Sequence, residues 1–238
     1  ILDIAHKKGH MARRGRAGAA NIVPSSTGAA TAIGLVLPQL KGKMAGGALR
    51  VPTTTGSIVD LTLELKKNVT IEELNKAFEN NQNETIQITY DPIVSSDIIG
   101  SHLGALVDGL LTNVLDDNGK QLVKVVAWYD NEMGYSAQMV RVAEYLGTEY
   151  KDTKFKVGIL EGLPGVFTEN REGGFLDEVN KYSNIEVVAK QAANWEREKG
   201  MNVATNMYQA NNKINMFYGL SDEMALGAAQ ACSSLGLK

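Results

Sequence analysis

The stretch GTEYKDTK, residues 147–154, separates two patterns of sequence. Before it, as in residues 57–65 (SIVDLTLEL), apolar and polar residues alternate, which is typical of an antiparallel sheet with one face in water. After it, short apolar strands alternate with helices, which favours a parallel sheet. The sequence therefore predicts an α/β chain made of two unlike pieces, residues 1–147 and residues 153–238, with a junction at residues 148–152.

The composition narrows the classes of function. The chain has 238 residues, of which 44% are hydrophobic and 21% are charged, enough for one or two globular cores. The net charge of -3 gives no reason to expect a nucleic acid partner. The single cysteine excludes an intramolecular disulfide framework and a metal site built on several thiolates. We see no signal peptide, and we expect no membrane span because no apolar run reaches roughly 18 to 20 residues.

Two places in the first half could bind an anion. Residues 29–40 are rich in alanine and leucine and predict a helix that Ser26 or Thr27 caps, with Gly28 at its start. The free N–H groups and the dipole of a helix start favour negative charge, although most such starts bind only water. Arg50 lies in a short apolar strand, where its guanidinium needs a carboxylate, a phosphate or solvent, and a structural ion pair is the usual case.

Local signals predict the other elements of the first half. The segment Thr70–Glu73 has the spacing of a capping box and predicts a helix that runs to about Asn80. The pair Asn118-Gly119 predicts a tight hairpin turn. The expected strands are residues 57–65, 85–90, 105–115 and 122–128, and a helix over residues 136–146 follows them.

Four segments of the first half together resemble a known family. They are PSSTGAA, LRVPTTTGSIVDL, VSSDIIGS and VVAWYDNEMGYS, which follow one another between residues 24 and 136. In this order they resemble the catalytic domain of phosphorylating glyceraldehyde-3-phosphate dehydrogenase, a glycolytic enzyme that oxidises an aldehyde to an acyl phosphate with NAD. The resemblance runs from residue 1 to about residue 147. It implies an α+β fold around a mixed, largely antiparallel sheet with helices.

The resemblance implies binding roles for five residues. Thr27 and Gly28 would line the site for inorganic phosphate, and Arg50 would hold the phosphate of the substrate. Asn131 would hydrogen-bond the carboxamide of the nicotinamide ring of NAD, and Tyr135 would pack near that ring. No metal ligand is implied.

The catalytic residues of that family do not fall within this sequence. The reaction needs a cysteine thiolate that attacks the aldehyde and a histidine that accepts a proton. By the resemblance, both positions and the dinucleotide-binding domain would precede Ile1. His6, His10 and His102 match other positions, and Cys232 belongs to the second half. We therefore expect this chain alone to be inactive as a dehydrogenase.

The second half alternates strands and helices. This order predicts a βαβαβα parallel sheet, whose ligands gather at the carboxyl ends of the strands. The expected strands are residues 155–160, 185–189 and 214–218, and the expected helices are residues 168–182, 195–210 and 222–235.

The second half resembles part of the C-terminal lobe of a periplasmic ribose-type sugar-binding protein. The resemblance rests on the segments GLPG, NREGGF, NW and SDEMALG between residues 162 and 227. It implies that Arg171 donates hydrogen bonds to sugar hydroxyls and that Trp195 stacks on the sugar ring. The third sugar-binding residue would be Ser221, which stands where the family often has asparagine. From the residues alone, Arg171 could form a helix-face ion pair and Trp195 could be a core or lid aromatic. Asp222 is expected to cap the following helix.

Three hypotheses about function follow. The chain is a dehydrogenase piece, able to form a homo-oligomer because the basic opening, residues 1–23, resembles the family's subunit-contact loop. Alternatively it is the sugar-binding component of an ABC uptake or sensing system. Alternatively it joins two unrelated gene pieces and is a chimera with no single function. The first resemblance implies a cytoplasmic protein and the second an extracytoplasmic one.

Overall fold

A computed structural model of the chain describes residues 13, 16 and 20–237. The predicted subunit-contact loop over residues 1–23 and the histidines His6 and His10 lie wholly or mostly outside the described residues. The described part divides into two compact units. The first contains the residues up to Ile58 together with Ile93–Ile99, and the second contains all the others.

The first unit contains two short antiparallel strands with a helix between them in the sequence. Strand β1 (Val23–Ser26) pairs antiparallel with β2 (Gly47–Arg50), and helix α1 (Ala29–Val36) follows β1. The helix predicted over residues 29–40 is therefore too long. Leu37 leaves the helical region (φ -120°, ψ 81°) because it precedes a proline, and the chain continues as a 3-10 turn, Pro38–Leu40.

A five-stranded sheet follows in chain order. Its strands are β3 (Ser57–Leu63), β4 (Ile86–Thr89), β5 (Ala105–Asp108), β6 (Asn113–Asp117) and β7 (Lys120–Tyr129). The strand order is β3-β7-β5-β4, and β6 also pairs with β7. Strand β4 is parallel to β5, whereas β5 and β6 are antiparallel to β7. The predicted mixed, largely antiparallel sheet is confirmed.

Helix α2 (Ile71–Asn80) starts as the sequence predicts. The Thr70 hydroxyl accepts a hydrogen bond from the Glu73 N–H (3.1 Å), and the Glu73 carboxylate accepts one from the Thr70 N–H (2.8 Å). Leu74 and Phe78 then pack against the buried residues Val107, Val123, Val125 and Ala127 of the sheet. The hairpin turn is also confirmed, since Asn118 and Gly119 both have positive φ, 54° and 82°.

The strand predicted over residues 105–115 is wrong, because the chain turns in its middle. The Asp108 carboxylate accepts a hydrogen bond from the Leu110 N–H (3.1 Å), and its carbonyl accepts one from the Leu111 N–H (3.2 Å). The same carboxylate accepts the indole N–H of Trp128 (3.0 Å). The buried carboxylate with its two partners, together with the carbonyl of the same residue, holds a turn that apolar patterning does not reveal.

The C-terminal part is a lobe of alternating strands and helices around a parallel sheet. The strand order is β10-β8-β9, with both pairs parallel, as predicted. The elements are β8 (Phe155–Glu161), α4 (Val166–Val179), β9 (Ile185–Ala192), α5 (Arg197–Ala210), β10 (Met216–Gly219) and α6 (Asp222–Ser234).

Helix α3 (Asn131–Glu149) packs on this lobe. Ala143 of α3 is 2% exposed and belongs to the same buried cluster as the strands of the parallel sheet, against which Met139 and Leu146 also pack. The Asn184 side-chain amide donates hydrogen bonds to the carbonyls of Leu146 (3.2 Å) and Tyr150 (3.0 Å). Helix α3 therefore continues through residue 147, and its C-terminal end is tied to the lobe.

The close contact of Gly147 with the lobe generates a prediction. A Cβ at Gly147 would lie 2.3 Å from the Tyr182 ring, and the Tyr182 hydroxyl is held by the Glu178 carboxylate (3.0 Å). In an ordinary helix, glycine to alanine stabilises by roughly 0.5–1 kcal/mol. We expect Gly147→Ala instead to lower the free energy of unfolding by about 1–3 kcal/mol, because the core is overpacked. Urea unfolding followed by circular dichroism measures it.

Gly173 of α4 provides the matched control. A Cβ at this position meets no heavy atom within 4 Å. Gly173→Ala should therefore raise the free energy of unfolding by roughly 0.5–1 kcal/mol. Equal stabilisation by both substitutions would show that α3 does not pack on Tyr182.

Candidate functional site

The predicted phosphate-binding residues lie at opposite ends of the pair formed by β1 and β2. Thr27 and Gly28 follow the end of β1, where Ser26 faces Gly47, whereas Arg50 lies at the other end of β2 and faces Val23. Three residue steps of a strand span about 10 Å. All three predicted residues are exposed.

The start of α1 differs from the prediction in its capping. Gly28 is the N-cap residue, and no side-chain cap closes this helix. The predicted capping by Ser26 or Thr27 is therefore wrong, although the Thr27 hydroxyl accepts a hydrogen bond from the Ala29 N–H (3.2 Å). The Thr27 hydroxyl and the backbone at Gly28 remain adjacent at an exposed helix start.

The two residues predicted to contact NAD lie one turn apart on α3. Asn131 is the first residue of the helix, and Tyr135 is 39% exposed. Part of the Tyr135 side chain lines a cavity of about 70 Å³, together with Arg171, Phe175 and Tyr218. Burial raises the pKa of the Tyr135 hydroxyl, and the nearby Asp222 carboxylate raises it further.

The start of α3 is fixed by a buried aspartate. The Asp130 carboxylate accepts hydrogen bonds from the N–H groups of Met133 (2.8 Å), Glu132 (2.9 Å) and Gly100 (2.9 Å). Burial by itself would raise the pKa of Asp130, but these N–H donors together hold it below the ordinary value. Asp130 thus connects the α3 start to the loop before β5.

The second candidate site is a cleft at the carboxyl ends of the parallel strands. Its volume is about 420 Å³, and its walls are Leu163, Pro164, Gly165, Phe167, Arg171 and Trp195. The loop after β8 supplies the first three residues, helix α4 the next two, and the loop after β9 supplies Trp195. Arg171 and Trp195 therefore lie in one cleft, at the strand ends where the sequence predicts that ligands gather.

Arg171 is held in the cleft by two contacts. Its guanidinium carbon lies 5.6 Å from the centroid of the Trp195 ring. One terminal nitrogen donates a hydrogen bond to the Leu220 carbonyl (2.8 Å), just after β10. The guanidinium is therefore oriented by the protein before any ligand arrives, and the predicted helix-face ion pair is not the contact that the structure shows for Arg171.

Trp195 is held by backbone geometry. Asn194 and Trp195 both adopt positive φ, 57° and 68°, which is uncommon for residues other than glycine. A Cβ at Gly162 would lie 2.0 Å from the indole ring, so only glycine leaves room for the ring there. Two strained residues and one obligatory glycine place the indole beside the cleft.

Ser221 caps α6 in the structure. Its hydroxyl accepts a hydrogen bond from the Met224 N–H (3.4 Å), and Asp222 is the first helical residue. The prediction that Asp222 caps this helix is therefore wrong. A hydroxyl is the usual N-cap acceptor, and the Asp222 carboxylate sits instead in the first turn, where the helix dipole favours it.

A charged cluster at the carboxyl end of β8 was not predicted from the sequence. Glu161, at the end of β8, lies next to the Glu172 carboxylate of α4, which pairs with the Lys190 ammonium of β9. Burial raises the pKa of Glu161, and the neighbouring Glu172 raises it further. The period of the strand could have indicated the position of Glu161. Side chains two residues apart share a face of a strand, so Glu161 lies on the same face of β8 as Val157 and Ile159.

Two further kinds of site are absent from the described residues. Within residues 13, 16 and 20–237, no group of three or more histidine, cysteine, aspartate or glutamate side chains could hold a metal ion. In the same part of the chain, no helix is both long and apolar enough to cross a membrane.

The Asp130 contacts predict a pH-dependent loss of stability. A carboxylate whose pKa is lowered on folding stabilises the fold above its unfolded pKa, and this contribution disappears as the pH falls through the folded value. We expect Asp130→Asn to lower the free energy of unfolding at pH 7 by about 1 kcal/mol. The difference from the original chain should shrink below about pH 4, the unfolded value for aspartate. Urea titrations at pH 7 and pH 3 measure it, and a difference that grows toward acid would contradict the account.

Residues 1–131, more than half of the chain, match the family described as the glyceraldehyde 3-phosphate dehydrogenase C-terminal domain. Residues 129–238 match the periplasmic binding protein domain family, so the two matches meet at the start of α3. These matches agree with the resemblances expected from the sequence for both halves.

Individual relatives support the first match. The glyceraldehyde-3-phosphate dehydrogenase of Streptococcus pyogenes is 57% identical over 145 residues, which are 61% of this chain and 43% of the relative. The enzyme of Streptococcus dysgalactiae subsp. equisimilis is 56% identical over 145 residues, with the same coverage. That of Clostridium pasteurianum is 54% identical over 144 residues, 60% of this chain and 43% of the relative. The chain thus spans less than half the length of these relatives. The chain belongs to the family of the glyceraldehyde 3-phosphate dehydrogenase C-terminal domain, and its C-terminal part resembles the periplasmic binding protein domain.

Proposed function

We propose that the C-terminal lobe binds a small polyhydroxylated ligand, a monosaccharide of the ribose type, in the cleft beside Arg171 and Trp195. The observation that carries this proposal is the pre-oriented guanidinium in a cleft whose other walls are mostly apolar or aromatic. Few, fixed polar groups among apolar walls are typical of small-ligand sites. A guanidinium has five N–H donors, and the Leu220 carbonyl takes one of them.

The three predicted sugar-binding residues contribute differently to this proposal. Arg171 donates to ligand hydroxyls, and the ring of the ligand stacks on the part of the Trp195 indole that the guanidinium leaves accessible. The Ser221 hydroxyl accepts the Met224 N–H as the cap of α6, which fixes the turn after β10 and leaves its own O–H proton to donate to a ligand hydroxyl. A sugar-binding role corresponds to an uptake or sensing component outside the cytoplasm.

Calorimetric titration with ribose tests the sugar proposal. We expect measurable binding by the full chain, and at least tenfold weaker binding by Arg171→Met, because hydrogen bonds from a charged donor contribute about 1.5–3 kcal/mol. Arg197→Met is the matched control: it removes an arginine of the same lobe whose guanidinium pairs with the exposed Glu223 carboxylate (2.9 Å). No heat with ribose, or equal affinity of the Arg171 variant, would contradict the proposal.

We propose secondly that the N-terminal half retains a phosphate-binding surface but carries out no oxidation in this chain. The identity to the dehydrogenases favours phosphate contacts at Thr27, Gly28 and Arg50, and NAD contacts at Asn131 and Tyr135. The single cysteine, Cys232, lies on α6 of the lobe, and burial raises the pKa of its thiol. A thiol that ionises less readily is a poor nucleophile.

NAD reduction tests this second proposal. With glyceraldehyde 3-phosphate, NAD and inorganic phosphate, we expect no increase in the absorbance of NADH above the rate without protein. Cys232→Ser is the control variant and should behave in the same way. A reduction rate that Cys232→Ser abolishes would overturn the proposal and would favour a cytoplasmic dehydrogenase.

We propose that the two halves derive from unrelated genes, with the dehydrogenase-like part over residues 1–147, a junction at residues 148–152 and the sugar-binding part over residues 153–238. The two different family matches support this origin. Long-read sequencing of the source DNA across the codons for Leu146–Lys154 tests it. One uninterrupted frame in every molecule supports a real fusion, whereas the absence of any spanning molecule would identify an assembled artefact.

A further inference from the structure

One wall of the cleft in the lobe is apolar and strongly exposed. Its side chains are those of Leu163, Pro164 and Phe167. Of these, Leu163 is 53% exposed and Phe167 is 79% exposed. Apolar surface in contact with water favours any ligand that covers it with apolar surface of its own. The Phe167 ring is therefore available as a ligand contact.

The position of Phe167 on α4 directs it to the same cleft as Arg171. The two residues are four positions apart in the helix, so they share one of its faces, and both line the cleft. The neighbouring Val166 is 66% exposed but lies outside the set of described residues that line the cleft. The sequence thus places an aromatic ring one helical turn from the guanidinium.

The apolar wall is fixed to the start of α4. Gly165 is the N-cap residue of this helix and has a φ of 148°, a conformation that side chains other than glycine rarely adopt. The Thr168 hydroxyl donates a hydrogen bond to the Leu163 carbonyl (2.5 Å), which ties the loop after β8 to the first turn of the helix. The wall therefore exists before a ligand arrives, so little ordering opposes binding.

The chemistry of the cleft differs between its two sides. Among the described residues that line it, Arg171 carries the charged side chain and Trp195 contributes an indole N–H. A sugar hydroxyl placed against Leu163, Pro164 or Phe167 would lose water and gain no side-chain partner, which costs affinity. A planar aromatic ring carries no such cost and can stack on the Phe167 ring. The cleft therefore matches a ligand with a polyhydroxylated part at Arg171 and an aromatic part at Phe167.

We infer that the cleft binds a ribose that carries a planar aromatic ring as its substituent, as a nucleoside does, and that Phe167 selects this substituent. The inference rests on the proposed sugar-binding function for the ribose part of the ligand. It adds the chemical class of the substituent and a specificity-determining residue. Arg171 and Trp195 then contact the sugar, and Phe167 contacts the aromatic ring.

Calorimetric titration of the full chain with three ligands tests the inference. The ligands are ribose, methyl β-ribofuranoside, whose substituent is not aromatic, and adenosine. The variants are Phe167→Ala and, as the matched control, Val166→Ala, which shortens the exposed neighbour outside the cleft. Thermal unfolding of both variants should match that of the original chain, because both side chains are mostly exposed.

We expect the original chain to bind adenosine at least fivefold more tightly than methyl riboside, because a base stacked on an aromatic side chain gains this much or more. Phe167→Ala should abolish the difference and change the affinity for ribose less than twofold. Val166→Ala should change neither quantity.

Two results would overturn the inference and leave the proposed function intact. One is ribose binding without tighter binding of adenosine than of methyl riboside. The other is an equal loss of affinity for both ribosides in Phe167→Ala. Adenosine binding that Phe167→Ala weakens, without measurable binding of ribose, would support the inference and contradict free ribose as the ligand. No binding of any of the three ligands would overturn both.

Discussion

The packing of α3 against the parallel-sheet lobe is the interaction on which the rest of the account depends. The helix begins at Asn131, where the dehydrogenase family match ends, and it runs to Glu149, two residues past Gly147, which contacts the lobe. Its close approach to Tyr182 requires glycine at residue 147. The Asn184 side-chain amide donates hydrogen bonds to carbonyls at the end of the helix. A segment with this much buried contact is part of a folded body, unlike a flexible linker between independent domains.

The sequence predicts those elements whose signals are local. The capping box at Thr70, the Asn118-Gly119 turn and the alternation of strands and helices after residue 154 each depend on a few neighbouring residues, and the structure confirms them. The wrong predictions arise where residues distant in the sequence determine the local conformation. The chain turns after Asp108, whose carboxylate accepts the Leu110 N–H and also the indole N–H of Trp128, twenty residues away in sequence. The second contact leaves no local pattern.

In the candidate sites, too, the positions of the residues depend on contacts between segments that are distant in the sequence. Arg171 and Trp195 contact each other in one cleft, because α4 follows β8 and Trp195 follows β9 of the same sheet. Thr27 and Arg50 are separated by the register of β1 and β2, which no single segment of sequence specifies. Tyr135 and Arg171 line one cavity, although the sequence resemblances place them in different families, so neither resemblance implies that they lie together.

Native-state hydrogen exchange in increasing urea tests most directly whether α3 belongs to the lobe. Peptides covering α3 and β8 should become exchangeable at the same urea concentration, because one cooperative unit opens as a whole. If the α3 amides exchange at much lower urea than those of β8, in step with the preceding sheet or as a separate segment, the helix is not anchored to the lobe and the account of its role is wrong.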